Sequence, residues 1–297
     1  MKQKKMKILV TGGAGFIGHH LVRQLIDLGH QVVVWDNLST GKKERLPNGV
    51  KLVLIDITSD TLPTEDVECV FHLAAPTSVQ ESLENPTKYE IGCFDMVQKV
   101  FEWSISNNIK QFVFSSTSAI YGDAENVPFG ENQPENPLSP YAQYKLQSEK
   151  HLKTHSLNSG CKVSVMRFFN VFGEEQPSTG SYAPAVAKFL LQHSKGLPIT
   201  VTGDGLQTRD YVYVKDVVNA LIKTTENNEY TYEIFNVGLG IESKIIDIAN
   251  YFNGVIEYVE ARKEPKRSCS DIIKIKNVLG WKPTTNVIQW LDNLEKK

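Results

Sequence analysis

With 297 residues, 41% of them hydrophobic and 22% charged, the chain has the makeup of a folded globular protein with room for one large core or two smaller ones. A net charge of −2 argues against nucleic acid or an anionic membrane as a partner. Four scattered cysteines (Cys69, Cys93, Cys161, Cys269) give neither a zinc site nor a disulfide framework, the seven histidines show no metal spacing, and no stretch approaches the ~18 apolar residues of a membrane span, so a cytoplasmic protein without a metal site is expected.

The basic start, Lys2 to Lys5, is followed only by Ile8-Leu9-Val10, too short an apolar run for a secretory signal. That run reads instead as a first strand. Further runs at 32–35, 52–55, 70–73 and 112–114 are predicted as strands buried on both faces. Between the first two, Phe16, Ile17, Leu21, Val22, Leu25 and Ile26 recur at helical spacing, and Gly29 ends the helix. Strand and helix in alternation predict a parallel, doubly wound α/β sheet. A helix from about Pro140 to Leu157, with Ser139 as its N-cap, leads into a strand from Lys162 to Phe168. Beyond about Gly173 the pattern changes. Gly180 and Pro184 precede a helix from Val186 to His193, a strand at 199–201 and a Gly203-Asp204-Gly205 turn. The division expected is one doubly wound domain over 1–173, to which about 211–240 return, and a smaller α/β lobe over 174–297.

Thr11 to Gly18 joins the first strand to the first helix. Gly13, Gly15 and Gly18 fit G-x-G-x-x-G, and Gly12, Gly15 and Gly18 fit a second register. Such a turn lets a pyrophosphate approach backbone that lacks Cβ atoms and meet the N–H groups of a helix start, which points to a Rossmann-type dinucleotide domain. Asp36 falls 18 residues past Gly18, at the end of the second strand. A carboxylate there accepts hydrogen bonds from ribose hydroxyls and repels a 2′-phosphate, so NAD is favoured over NADP. Asp56-Ile57 ends the third strand, within reach of adenine, and the small residues of Leu73-Ala74-Ala75 after the fourth let a cofactor pass close.

Tyr141 and Lys145 are four apart at the start of the 140–157 helix and share one face. A free tyrosine ionises near pH ~10. An ammonium beside it, a cationic nicotinamide and the helix N-terminus all favour the phenolate, which can take a hydroxyl proton as hydride leaves the same carbon. The run Ser115-Ser116-Thr117-Ser118 follows the 112–114 strand on the same sheet edge and offers a hydroxyl to the reacting oxygen.

With these residues in view, the chain resembles the UDP-sugar 4-epimerase branch of the extended short-chain dehydrogenase/reductase family. The likeness runs from Lys7 to about Pro283 and rests on TGGAGFIG (11–18), DNLSTGK (36–42), DI (56–57), HLAA (72–75), SSTSAIYGD (115–123), SPYAQYK (139–145), RFFNVFG (167–173), GDGLQTRDYVYVKDV (203–217) and SDIIKIKNVLGWKP (270–283). The resemblance implies Thr117, Tyr141 and Lys145 as the catalytic triad. It implies cofactor contacts from Phe16, Ile17, Asp36, Asn37, Asp56, Leu73, Ala74, Thr77 and Phe169, and places Asn170 and Arg209 at the substrate diphosphate. A guanidinium suits that last role because it grips phosphate oxygens in pairs. A homodimer is implied by the resemblance alone.

Two departures from the family pattern stand out. The Asn that normally lies near a Gly-Thr on the helix after the fourth strand has no counterpart in 89–95. The second diphosphate arginine is out of register, so either Arg262 or Arg267 takes its place. Related dehydratases and decarboxylases set an acid directly after the active-site Ser/Thr, whereas here Ser118 and Ala119 follow Thr117. The reaction expected is therefore reversible oxidation at sugar C4, giving 4-epimerisation of a UDP-hexose or UDP-N-acetylhexosamine. Ser268 falls where the family limits room around the C2 substituent, and it is small. The alternatives are a 4-ketosugar reductase, an epimerase for a GDP-, CDP- or dTDP-sugar, and a catalytically silent NAD-binding regulator.

Overall fold

The computed structural model describes residues 5–124, 126–179, 183–227, 229–261 and 264–295. In the first part of the chain the strands are β1 (Lys7–Thr11), β2 (Gln31–Asp36), β3 (Lys51–Leu54), β4 (Cys69–His72), β5 (Gln111–Thr117) and β6 (Lys162–Phe168). After them come β7 (Asn170–Phe172), β8 (Ile199–Thr202), β9 (Thr208–Tyr213), β10 (Tyr232–Val237), β11 (Glu242–Lys244) and β12 (Ile256–Val259). The helices that position the cleft are α1 (Phe16–Asp27), α2 (Val79–Glu84), α3 (Pro86–Glu90), α4 (Met96–Ser106), α5 (Pro140–Ser156), α6 (Ala185–Ser194) and α7 (Val214–Lys223).

Seven parallel strands form the main sheet in the order β10-β6-β5-β4-β1-β2-β3. Alternate residues of β1 explain why helices cover both faces. Ile8 and Val10 pack with Leu21 and Val22 of α1 and Val217 and Leu221 of α7, while Leu9 packs with Val97 and Phe101 of α4 and Phe112 of β5. Each such side chain contributes roughly 1.5–3 kcal/mol when fully buried. The strand order reverses between β1 and β4, because the chain leaves β1 toward β2 and β3 and returns on the other side. Ligands of open α/β sheets bind in the crevice at the C-terminal ends of strands beside such a reversal.

One strand departs from the sequence reading. β3 is not buried on both faces: it forms the sheet edge, and Leu54 is 69% exposed. An apolar run alone does not tell an edge from a centre.

Beyond β6 the chain builds a three-stranded sheet, β11-β9-β7, and a parallel pair, β12-β8, around Phe172, Phe189, Tyr211, Ile248 and Trp290. β10 lies outside this lobe and pairs in parallel with β6, Tyr232 opposite Val163 through Val237 opposite Phe168. Gly180 lies outside the described residues. Among those described, no helix is long and apolar enough to cross a membrane.

Candidate active site

A cleft of about 2010 Å³ opens at the C-terminal ends of β1, β4 and β5 and extends to β7 and β9. The predicted cofactor residues Gly12, Gly15, Phe16, Ile17, Gly18, Asp36, Asn37, Asp56, Ile57, Leu73, Ala74, Ala75, Thr77 and Phe169 line it, as do Thr117, Tyr141, Lys145, Asn170 and Arg209. Ser268 is buried off the cleft wall, and Arg267 is also absent from it. Arg262 lies outside the described residues.

The glycine turn is shaped by close backbone packing. Gly12 has φ 68°, in the left-handed region that glycine tolerates, and a Cβ on it would stand 2.7 Å from Ala74 N. A Cβ on Gly18 would stand 2.1 Å from Gly12 O. At Gly15 the nearest heavy atom to a Cβ is Gly12 O at 3.1 Å, and the residue otherwise faces open cleft. Gly15 also opens α1, so free helix N–H groups meet the space that a side chain would fill. A pyrophosphate fits there by shape and by dipole. Gly18→Ala is expected to cost about 1–3 kcal/mol, because the clash is with backbone that cannot rotate away. Thermal unfolding and retained NAD should both fall; an unchanged midpoint with full NAD content would contradict this packing.

Asp36 does more than await a ribose. Its Oδ2 accepts from Ala14 N at 2.9 Å and its Oδ1 from Leu38 N at 2.8 Å, which fixes the glycine turn against the loop after β2. A carboxylate has about four lone-pair sites, so acceptor capacity remains for ribose hydroxyls. Asp56 is likewise held: Thr58 N–H and hydroxyl donate to Oδ1 at 3.0 and 2.6 Å, and Asn37 Nδ2 to Oδ2 at 3.2 Å. The Thr58 hydroxyl is the main reason its carboxyl is held below the usual carboxylate range. Together these groups fit NAD.

Tyr141 and Lys145 sit on the first turns of α5. Ser139 caps the helix by accepting from Ala142 N at 3.3 Å, and Pro140 takes the first helical position. Both side chains are buried, and the Tyr141 phenol lies near the Thr117 hydroxyl. Thr117 ends β5, where its Oγ1 also accepts from Ala119 N at 3.1 Å. Lys145 Nζ donates to Ser115 O at 2.8 Å and lies 4.7 Å from the Phe114 ring centre. The electrostatics differ from the sequence expectation. Burial pushes the Tyr141 phenol up, with only the nearby Thr117 hydroxyl acting to lower it, and burial also pushes the Lys145 ammonium down. The residues of this chain alone therefore keep Tyr141 protonated at neutral pH.

Two neighbours escape the sequence reading. Tyr89 is fully buried with its ring edge-on to Tyr141, centroids 6.1 Å apart, and its hydroxyl donates to Glu81 Oε2 at 3.0 Å. Cys93 lies in a π turn over Ile91–Asp95, in the stretch that lacks the family Asn, and packs with Tyr89 and Tyr141. Its carbonyl accepts from Ser148 of α5 at 2.6 Å. The four-residue spacing of Tyr89 and Cys93, which puts them on one helical face, is the available signal. His72 lies beneath the site, hydrogen-bonded to the Thr11 hydroxyl at 2.9 Å. Burial chiefly, then the Lys145 ammonium, pushes it down to about 3.

At the other end of the cleft, Arg209 pairs with Glu264 at 2.6 Å rather than with its neighbour Asp210. Its Nη1 donates to Thr208 O at 2.7 Å and Pro265 O at 2.8 Å. Asp210 is buried and accepts from Leu239 N, Gly240 N and Ser270. Arg267 pairs with Glu242 at 2.5 Å.

Residues 8–238 match the model of the NAD dependent epimerase/dehydratase family. UDP-glucose 4-epimerase of Lactobacillus helveticus is 32% identical over 94% of this chain and 92% of its own length. UDP-glucuronic acid decarboxylase 1 of Danio rerio is 31% identical over 98% of this chain and 72% of its own. Among solved structures, UDP-N-acetylglucosamine 4-epimerase from Methanobrevibacter ruminantium M1, in complex with UDP-N-acetylmuramic acid, superposes with a TM-score of 0.91 at 33% identity, covering 98% of this chain and all of that one. UDP-glucose 4-epimerase of Thermus thermophilus, in complex with NAD, gives 0.88 at 31% identity, with 96% of each chain covered.

Proposed function

The chain belongs to the NAD-dependent epimerase/dehydratase family, and from that premise we propose that it interconverts C4 epimers of a UDP-hexose or UDP-N-acetylhexosamine through a transient 4-keto sugar. The observation that carries this reading is the convergence of Tyr141, Thr117 and Lys145 on one cleft wall, with Ser118 and Ala119 beside Thr117 where an eliminating or decarboxylating relative would need an acid.

A bound oxidised nicotinamide supplies a hydride acceptor and a positive charge beside the phenol. The chain's own residues do the rest. Tyr141 takes the proton of the sugar's C4 hydroxyl and later returns one to the ketone oxygen. Thr117, on the same cleft wall as Tyr141, bridges the reacting oxygen and the phenol. Lys145 is held by Ser115 O within the same buried wall, where its ammonium favours the phenolate once the phenol ionises. Arg209 and Asn170 bind the diphosphate, which leaves the hexose free to turn between the two hydride transfers. For Arg209 this requires that part of its donor set serve phosphate while Glu264 and two carbonyls hold the guanidinium plane. The four cysteines are free and buried, in keeping with a cytoplasmic enzyme.

A panel of UDP-, dTDP-, CDP- and GDP-sugars incubated without added reductant tests the reading, with products resolved by chromatography. The expected result is a C4 epimer of a UDP-sugar with no net NADH change. Net NADH consumption in a parallel incubation with added NADH would point to a reductase, and no product from any sugar would overturn the assignment.

A further inference from the structure

The turn after β7 is tied to both sides of the cleft by two adjacent acids. Glu174 faces the end of β9 in the smaller lobe, where its carboxylate accepts from the Tyr213 hydroxyl at 2.8 and 2.9 Å, and it lies 3.7 Å from Lys215 Nζ at the start of α7, the helix that packs with α1. Glu175 faces the dinucleotide side. Its carboxylate stands 3.2 Å from Arg45 Nε, 3.5 Å from His19 Nε2 and 3.8 Å from Arg23 Nη2. Burial pushes His19 down to about 4, so at neutral pH Arg45 and Arg23 carry the positive charge. Main-chain contacts reinforce the pairing. Arg45 Nη2 donates to Glu175 O at 2.9 Å, and His20 Nε2 meets Glu174 O at 3.0 Å.

Glu175 also holds φ 60°, a left-handed conformation that a residue with a Cβ adopts at a cost. Such a residue persists where its surroundings over-determine it, and such positions gather at functional sites. Here the surroundings are α1, which starts at the glycine turn, and the segment around Arg45, which follows β2 and Asp36. Arg45, Glu175 and Gln176 all line the cleft. The Arg45 side chain is only 12% exposed and Glu175 39%, so the pair is screened less than one on open surface.

We propose that Glu175 and Arg45 form a clasp at the rim of the dinucleotide groove, anchored to the smaller lobe through Glu174, and that this clasp limits the rate at which NAD leaves. The clasp is of use to an enzyme whose cofactor is reduced and reoxidised within one turnover, because release in mid-cycle would strand a ketone. It rests on the dinucleotide assignment and not on which sugar reacts.

The test uses the full-length protein as purified, with wild type compared against Glu175→Gln and Arg45→Gln. Bound NAD is counted by acid release and chromatography, and its release rate is followed after dilution into excess unlabelled cofactor at low and high salt. Wild type should keep its NAD and release it faster as salt rises. Each variant should release it about five- to tenfold faster at low salt and respond little to salt, the scale expected for a partly buried pair. Unfolding midpoints of the NAD-free forms should stay close to that of wild type. If Glu175→Gln does not fold, Arg45→Gln breaks the same pair without substituting the left-handed residue itself. Folded variants that release NAD at the wild-type rate would overturn the clasp. A wild type that holds no NAD at all would instead overturn the dinucleotide assignment.

Discussion

Tyr141→Phe is expected to lower turnover by roughly 10²- to 10⁴-fold, the contribution of a well-placed acid–base group, while the protein stays folded with NAD in place. The substitution removes one oxygen and keeps the ring, so the edge-on contact with Tyr89 and the packing against Cys93 survive. On the proposed mechanism the proton acceptor for the C4 hydroxyl is lost. Because the phenol sits at the reacting end of the cleft, and Gly12, Gly15, Asp36 and Asp56 line it elsewhere, the cofactor content of the variant should match that of wild type. Wild-type turnover in Tyr141→Phe would remove the residue from the mechanism. Loss of both turnover and NAD would show that it serves binding instead.

The second large effect is expected at Arg167→Met, which should destabilise the fold by about 3–5 kcal/mol, the usual cost of stripping one partner from a buried ion pair. Arg167 is fully buried in β6 and donates to Glu149 through Nε at 3.1 Å and Nη2 at 2.6 Å. Glu149 lies one turn past Lys145 on α5 and also accepts from the Ser116 hydroxyl. The network continues from Arg167 Nη1 to the Tyr121 hydroxyl at 2.9 Å, and from there to Asn236 of β10 at 2.7 Å. It therefore joins α5, which carries Tyr141 and Lys145, to the strand at the end of the main sheet. Without Arg167 the buried Glu149 carboxylate loses its directly bonded cation and keeps the Ser116 hydroxyl, with the Lys145 ammonium acting on it from one turn away. A double variant, Arg167→Met with Glu149→Leu, should regain much of the loss, since replacing both charges with apolar groups is often neutral. Denaturant unfolding followed by circular dichroism reads both effects. A loss below about 1 kcal/mol in Arg167→Met would show that the pair is not a major support of the fold.

Much of this molecule is legible along the chain because its signals are local. Ile8 to Val10 and Phe112 to Phe114 are continuous apolar runs, and continuous runs mark central parallel strands. The glycine turn, Asp36 and the Tyr141–Lys145 spacing are read within single strand–turn–helix units, and all of them reach the cleft wall. What stays hidden depends on contacts between distant segments. β3 has the composition of a central strand yet lies at the edge, because what flanks a strand is decided by the order of the whole sheet. The motif offset of Ser268 suggests a place near the sugar, whereas in the fold the residue is buried and does not line the cleft. For Arg209 the nearest acid along the sequence is Asp210. In a strand, adjacent side chains point to opposite faces, so its partner is Glu264, which lies 55 residues away. The helical spacing of Tyr141 and Lys145 also suggests an unopposed activation of the phenol, whereas burial acts on both groups and outweighs it.

The most direct test of the central claim follows a deuterium placed at C4 of a UDP-hexose through turnover. If hydride leaves and returns to the same carbon while Tyr141 handles only the hydroxyl proton, the epimer should form with the label still at C4 and none of it in water. Label washed into solvent, or carried off in free NADH beside an accumulating ketone, would contradict that chemistry.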